Sequence, residues 1–179
     1  MGVVALAEMG DKTQLLSLLL AARFRRPLPI ILGIFLATLA NHALAGAVGE
    51  WVTKLLGAEA LRWVLAASFI AMAAWVAIPD RLDGKPRTAE RLGVLGTTLI
   101  AFFLAEMGDK TQIATVALAA RYTAFGAVVT GTTFGMMIAN VPAVMLGERL
   151  AHRIPLRLTR AVAAVMFAAL GAAMILAAP

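Results

Sequence analysis

Nine residues, L-A-E-M-G-D-K-T-Q, stand at Leu6 to Gln14 and return unchanged at Leu104 to Gln112. Each copy sets two carboxylates and one ammonium, Glu8, Asp11 and Lys12 or Glu106, Asp109 and Lys110, in a run otherwise apolar and long enough to cross a bilayer. A charge at the centre of a spanning helix costs about 2.5–3.5 kcal/mol on insertion scales, so six unpartnered charges would cost roughly 15–20 kcal/mol. They must face one another, water or a bound ion. Residues three apart on a helix share a face, so Glu8 with Asp11, and Glu106 with Asp109, are each expected to aim their oxygens at one point. Gln14 and Gln112 follow three residues later. Two such faces would supply four carboxylates and two amides, enough oxygen to six-coordinate a hard divalent cation. Gly10 and Gly108 let a second backbone approach, or let the helix loosen and free carbonyls.

Four carboxylates against Lys12 and Lys110 leave two negative charges, which a divalent cation or two protons would balance. Crowded carboxylates in a low dielectric disfavour ionisation, so protons compete with the metal, the elementary requirement of cation/proton exchange. Two other readings of the lysines stand beside this one. They could hold the acids in structural salt bridges, helped by the Glu-to-Lys spacing of four, or snorkel away from the site. Thr13, Thr111, Ser17 and Thr115 are candidate ligands or cross-helix hydrogen bonders. Asn41 and Asn140 are candidates to line the site or to hold helices together. His42 is a candidate proton relay, and His152 reads as a loop residue. Met9 and Met107 read as packing, and Gly131 with Gly135 as close helix contact.

The elements that must position these residues follow from composition. The chain is 61% hydrophobic over 179 residues, with a mean hydropathy of +0.88. Soluble domains are roughly 45–50% apolar, so this is an all-α integral membrane protein. No cysteine is present, which excludes disulfides, thiolate metal sites and cysteine nucleophiles. The net charge of +6 lies in short loops between apolar runs, which argues for loop positioning at a membrane rather than nucleic-acid binding. No charged leader or cleavage site precedes the first apolar run, so no cleaved signal peptide is expected.

Six apolar runs mark six expected transmembrane helices: Gly2 to Ala22, Leu28 to Val48, Leu61 to Ile78, Leu95 to Ala120, Phe125 to Gly147 and Leu158 to Ala178. A repeat at an offset of 98 residues relates the halves: Arg23 to Arg121, Gly33 to Gly131, Gly49-Glu50 to Gly147-Glu148, Arg62 to Arg160 and Phe69 to Phe167. Asn41 and Asn140 are displaced by one residue from that register. The expected organisation is a three-helix repeat over 1–80, a linker over 81–94 and a second repeat over 95–179. Three spans per half is odd, so the repeats are inverted. Outside the motifs, eleven Lys and Arg follow spans one, three and five, and three lie on the other side. The positive-inside rule makes the first group cytoplasmic and both termini external, with Trp51, Trp63 and Trp75 near span ends. Inverted halves bring the two motifs to similar depth near mid-bilayer, where such transporters bind substrate.

At these residues the chain resembles the Gdt family of cation/proton exchangers: two inverted three-span halves, each opening with E-x-G-D-K-T. The resemblance covers essentially the whole chain. It implies a secondary transporter of the cell inner membrane, not an enzyme, exporting Mn²⁺ or moving Ca²⁺ in exchange for protons. The metal is cargo, no resident cofactor is implied, and the family ligands map onto Glu8, Asp11, Glu106 and Asp109. The departures are a short start before Glu8 and no acidic run in the central loop. Paired membrane aspartates after glycine also suggest an intramembrane aspartyl protease; against it, whole charged motifs are duplicated with a lysine beside each aspartate.

Overall fold

The letters E-M-G-D dictate a turn, and this turn reshapes the expected spans. In the computed structural model, which describes residues 1–78, 92–122, 124–146 and 156–176, helix α1 (Gly2–Glu8) stops at Glu8. Met9 turns extended (φ −65°, ψ 116°), Gly10 takes φ 80°, and the Asp11 amide donates to the Glu8 carbonyl at 3.0 Å. This is the pattern of a type II turn, whose third position requires positive φ and so favours glycine. Asp11 then serves as N-cap of α2 (Lys12–Phe24). The second copy repeats the geometry. Helix α5 (Gly93–Glu106) ends at Glu106, Met107 is extended (φ −62°, ψ 121°), Gly108 takes φ 75°, and Asp109 caps α6 (Lys110–Arg121). Spans one and four, expected as continuous helices, are each broken in two.

The remaining runs give α3 (Pro27–Leu55), α4 (Ala58–Ala77), α7 (Phe125–Leu146) and α8 (Leu156–Leu176). These four helices are long and apolar enough to cross a membrane, and no strand occurs among the described residues. The protein is an all-helical, multi-pass membrane protein. Helix α3 begins at Pro27, where a missing N–H costs nothing, and continues to Leu55, past the expected break at Glu50. The stretch Glu50 to Leu56 holds neither Pro nor Gly, so nothing stops the helix before Gly57, the N-cap of α4. The linker expected over 81–94, apart from 92–94, lies outside the described residues, as does His152.

Helix α3 packs along both α5 and α6. Gly33 permits this at one end and Gly49 at the other, where an added Cβ would come 2.8 Å from the Thr98 side chain or 2.5 Å from the Val116 carbonyl. Helix α7 similarly lies on α1, with Gly135 under the Met1 carbonyl. Helices α4 and α8 make the most extensive pairing in the fold. At its centre Phe69 stacks on Phe167, its own counterpart in the repeat, with ring centroids 6.4 Å apart.

Candidate metal centre

The turn explains how the acids meet. Glu8 is its first residue and Asp11 its last, so both carboxylates leave one tight bend rather than one face of a continuous helix, which corrects the helical spacing argument. Carboxylate oxygens of Glu8, Asp11 and Asp109 lie within 4.8 Å of one another, and Glu106 lies beside Asp109 and Asp11. All four acids are buried.

The lysines cross over. Lys12 Nζ is 2.8 Å from Asp109 and Lys110 Nζ is 2.7 Å from Asp11, so each copy of the motif neutralises the aspartate of the other. Neither lysine snorkels away. Two lysines and two aspartates cancel, and Glu8 and Glu106 stand outside those two ion pairs. Glu8 faces Asn140 and Glu106, yet both its oxygens are buried with no hydrogen bond of ordinary geometry. Glu106 is nearly matched: one oxygen lies 3.2 Å from the Thr111 hydroxyl, which is also 3.4 Å from Asp109, and the other has no hydrogen bond.

Gln14 and Gln112 brace the turns in this structure. Their Oε1 atoms accept from the Gly10 and Gly108 amides at 2.8 and 2.7 Å. The Gln14 amide donates across to the Ala139 carbonyl of α7, and that of Gln112 to Asn41 of α3 at 3.5 Å. Asn41 also donates to the Phe103 carbonyl, while Asn140 accepts from Ser17 at 2.7 Å. Both asparagines therefore tie a long helix to a broken span of the other half. Thr13 is buried with its hydroxyl unsatisfied, and Thr115 bonds the Thr111 carbonyl of its own helix. His42 contacts Thr133 at 3.5 Å.

Arg160 of α8 was not foreseen as part of the centre. Its guanidinium donates to the Gly10 carbonyl at 3.1 Å and so occupies a carbonyl that the break exposes. A sequence signal for the break itself was present. Asp-x-x-Gln, from Asp11 to Gln14 and Asp109 to Gln112, reads as a capping box that starts a helix at Lys12 and Lys110.

A buried cluster of four carboxylates, with lysine partners for only two of them, suits a hard divalent cation or its equivalent in protons. The family described as Divalent cation/proton antiporter GDT1 matches the chain over residues 1–84 and 94–179. The chain belongs to the GDT1 family. Each of the two matched segments contains one copy of the nine-residue motif. This GDT1 protein is 56% identical over 165 residues, 92% of its length and 82% of the relative's, to a Vibrio cholerae protein named "Putative manganese exporter". It is 28% identical to a GDT1-like protein of Synechocystis, over 92% of the chain and 89% of that relative. A rice protein named GDT1-like protein 3 is 27% identical over 93% of the chain and 68% of its own length. No solved structure matches.

The family is one of transporters, not enzymes. The protease reading also fails on geometry, since Asp11 and Asp109 are each paired with a lysine of the other half.

Proposed function

We propose that this GDT1 protein exports Mn²⁺ across the cell inner membrane in exchange for protons, binding the ion between Glu8, Asp11, Glu106 and Asp109. The observation that carries this reading is the reciprocal pairing of Lys12 with Asp109 and Lys110 with Asp11. It cancels four of the six charges and leaves the two glutamates, so one divalent cation or two protons restores neutrality. Such an equivalence lets the same carboxylates serve the two cargoes in turn. Thr13, Thr111, Asn41 and Asn140 line the centre, and Gln14 and Gln112 hold the two turns. Manganese is favoured over calcium by the name of the Vibrio cholerae relative.

The architecture we assign is six spans in two inverted three-helix repeats, 1–80 and 95–179, joined by a cytoplasmic linker over 81–94, with both termini external. Three features support it: the repeat at 98 residues, the reciprocal ion pairs between repeat-equivalent residues, and the self-contact of Phe69 with Phe167. The broken spans fit as well, since inverted-repeat transporters place cargo at discontinuous helices near mid-bilayer.

Flux into proteoliposomes tests the function, comparing Mn²⁺, Ca²⁺, Mg²⁺ and Zn²⁺ under an imposed proton gradient. Mn²⁺ movement coupled to counterflow of protons is expected; Ca²⁺ flux alone would reassign the cargo, and flux of none would end the reading. A Gly84→Cys variant tests the orientation. An impermeant thiol reagent added outside intact cells should leave it unlabelled.

A further inference from the structure

The two copies of the motif are alike in sequence and backbone but not in cover. Lys12 of the Lys12–Asp109 pair keeps 27% of its side chain exposed, whereas Lys110 of the Lys110–Asp11 pair keeps 3%. The turn of the second copy is left uncovered by the rest of the protein, with Met107 at 56% exposure and Gly108 exposed, while Met9 and Gly10 are half-buried. The cause lies in the α4–α8 pair. Helix α4 packs on α6 and α8 packs on α1, but the repeat-equivalent packings, α8 on α2 and α4 on α5, are slight or absent. A strictly symmetric assembly would make both sets equal.

Sequence explains which side is covered. The face of α6 that joins the shared core with α4 and α8 carries Ala114, Ala117 and Ala120, small enough to admit a close helix. Ninety-eight residues earlier, α2 has Leu16, which is buried in the core with α3, α5 and α7, and Leu19 and Ala22, which are exposed. A helix moved onto α2 would thus meet Leu19 and Ala22 and a bulkier surface than the alanines of α6.

We propose that Lys12 and Lys110 are gating residues: the site opens past the Lys12–Asp109 pair and is sealed at the Lys110–Asp11 pair, and moving α4–α8 from α1 and α6 to α2 and α5 exchanges the two. This rests on the exchange function above and adds which side chains stand at its two doors. Arg160, bonded to the Gly10 carbonyl, fastens α8 over the closed door. With both termini external, α1 and α6 form the outer halves of the broken spans, so the open door faces the cytoplasm.

The test uses the full chain in membrane vesicles, free of native cysteine and without added metal. Single variants Met107→Cys and Met9→Cys are exposed to a charged, water-borne thiol reagent. Met107→Cys should react at least about tenfold faster, the ratio expected when one conformer dominates. Adding Lys110→Met to Met9→Cys should raise its rate several-fold, Lys12→Met should not, and Lys110→Arg should keep it low. Equal rates at the two cysteines with both lysines present would overturn the proposal, as would equal responses to the two lysine changes. Should Lys110→Met not accumulate, the comparison of the two cysteines decides. Labelling needs no ion flux, so a failure here is separable from a failure of the exchange reading.

Discussion

The two motif copies differ in no residue from 6 to 14 and 104 to 112, and their turns agree to within about five degrees in every backbone angle quoted above. Their neighbours nevertheless treat them differently. The first copy is roofed by Arg160 and tied by Gln14 to α7; the second lies bare at Met107 and Gly108 and is held by Gln112 to α3. Chemistry is written into the nine letters, and access is written into helices that never touch the letters' identity. Two equal motif copies under unequal cover are what a carrier needs if one shared site is to face first one side and then the other.

The largest expected effect tests the equality. Glu8→Gln and Glu106→Gln, and equally Asp11→Asn and Asp109→Asn, should each lower proteoliposome Mn²⁺ exchange by more than about 100-fold, because a missing charge-assisted ligand in a buried site is worth several kcal/mol. Both copies must respond alike. If one copy can be neutralised with exchange intact, a site shared between the halves is wrong.

The lysines should separate what the acids keep equal. Removing one partner of a buried pair costs about 3–5 kcal/mol, so Lys110→Met should lower the melting temperature in detergent sharply. Lys12→Met, from a partly exposed pair, should lower it less. Equal losses would erase the difference in cover.

The glycines bring the copies back together. An alanine at φ near +80° costs roughly 1–2 kcal/mol, and at Gly108 an added Cβ meets nothing within 4 Å, so Gly108→Ala should show that backbone cost alone. Thermal unfolding of Gly108→Ala checks this, and a much larger loss would mean that the turn carries more than its own conformation. The smallest effect expected is Ser17→Ala, which breaks the bond to Asn140 at a cost of about 1 kcal/mol, with exchange retained in the flux assay.

How far these features could be read in the sequence follows the same division. The doubled motif, the hydrophobic runs and the family were legible because identical letters and composition announce them. The breaks were only half legible. Glycine permits positive φ without requiring it, and the i, i+3 rule assumed a helix that the turns at Gly10 and Gly108 interrupt. The crossing of Lys12 to Asp109 and Lys110 to Asp11 was hidden, since spacing along one chain ranks partners on the same helix and says nothing of the opposite one. The lopsided seat of α4 and α8 was least legible of all. It goes with alanines at 114 and 117 of α6 where α2 has Leu16 and Leu19, a difference of bulk between residues that both read simply as apolar.

The stacking of Phe69 on Phe167 has a consequence for the two repeats. Positions 69 and 167 stand 98 apart, so here a side chain meets its own counterpart in the repeat. At such a contact one residue type supplies both walls, and a ring that packs well on another ring suits both places. Elsewhere the copies differ: Ser17 stands where position 115 has threonine, and Leu19 where position 117 has alanine. Replacing one phenylalanine alone would therefore unbalance a contact whose two sides are matched by identity rather than by complementarity.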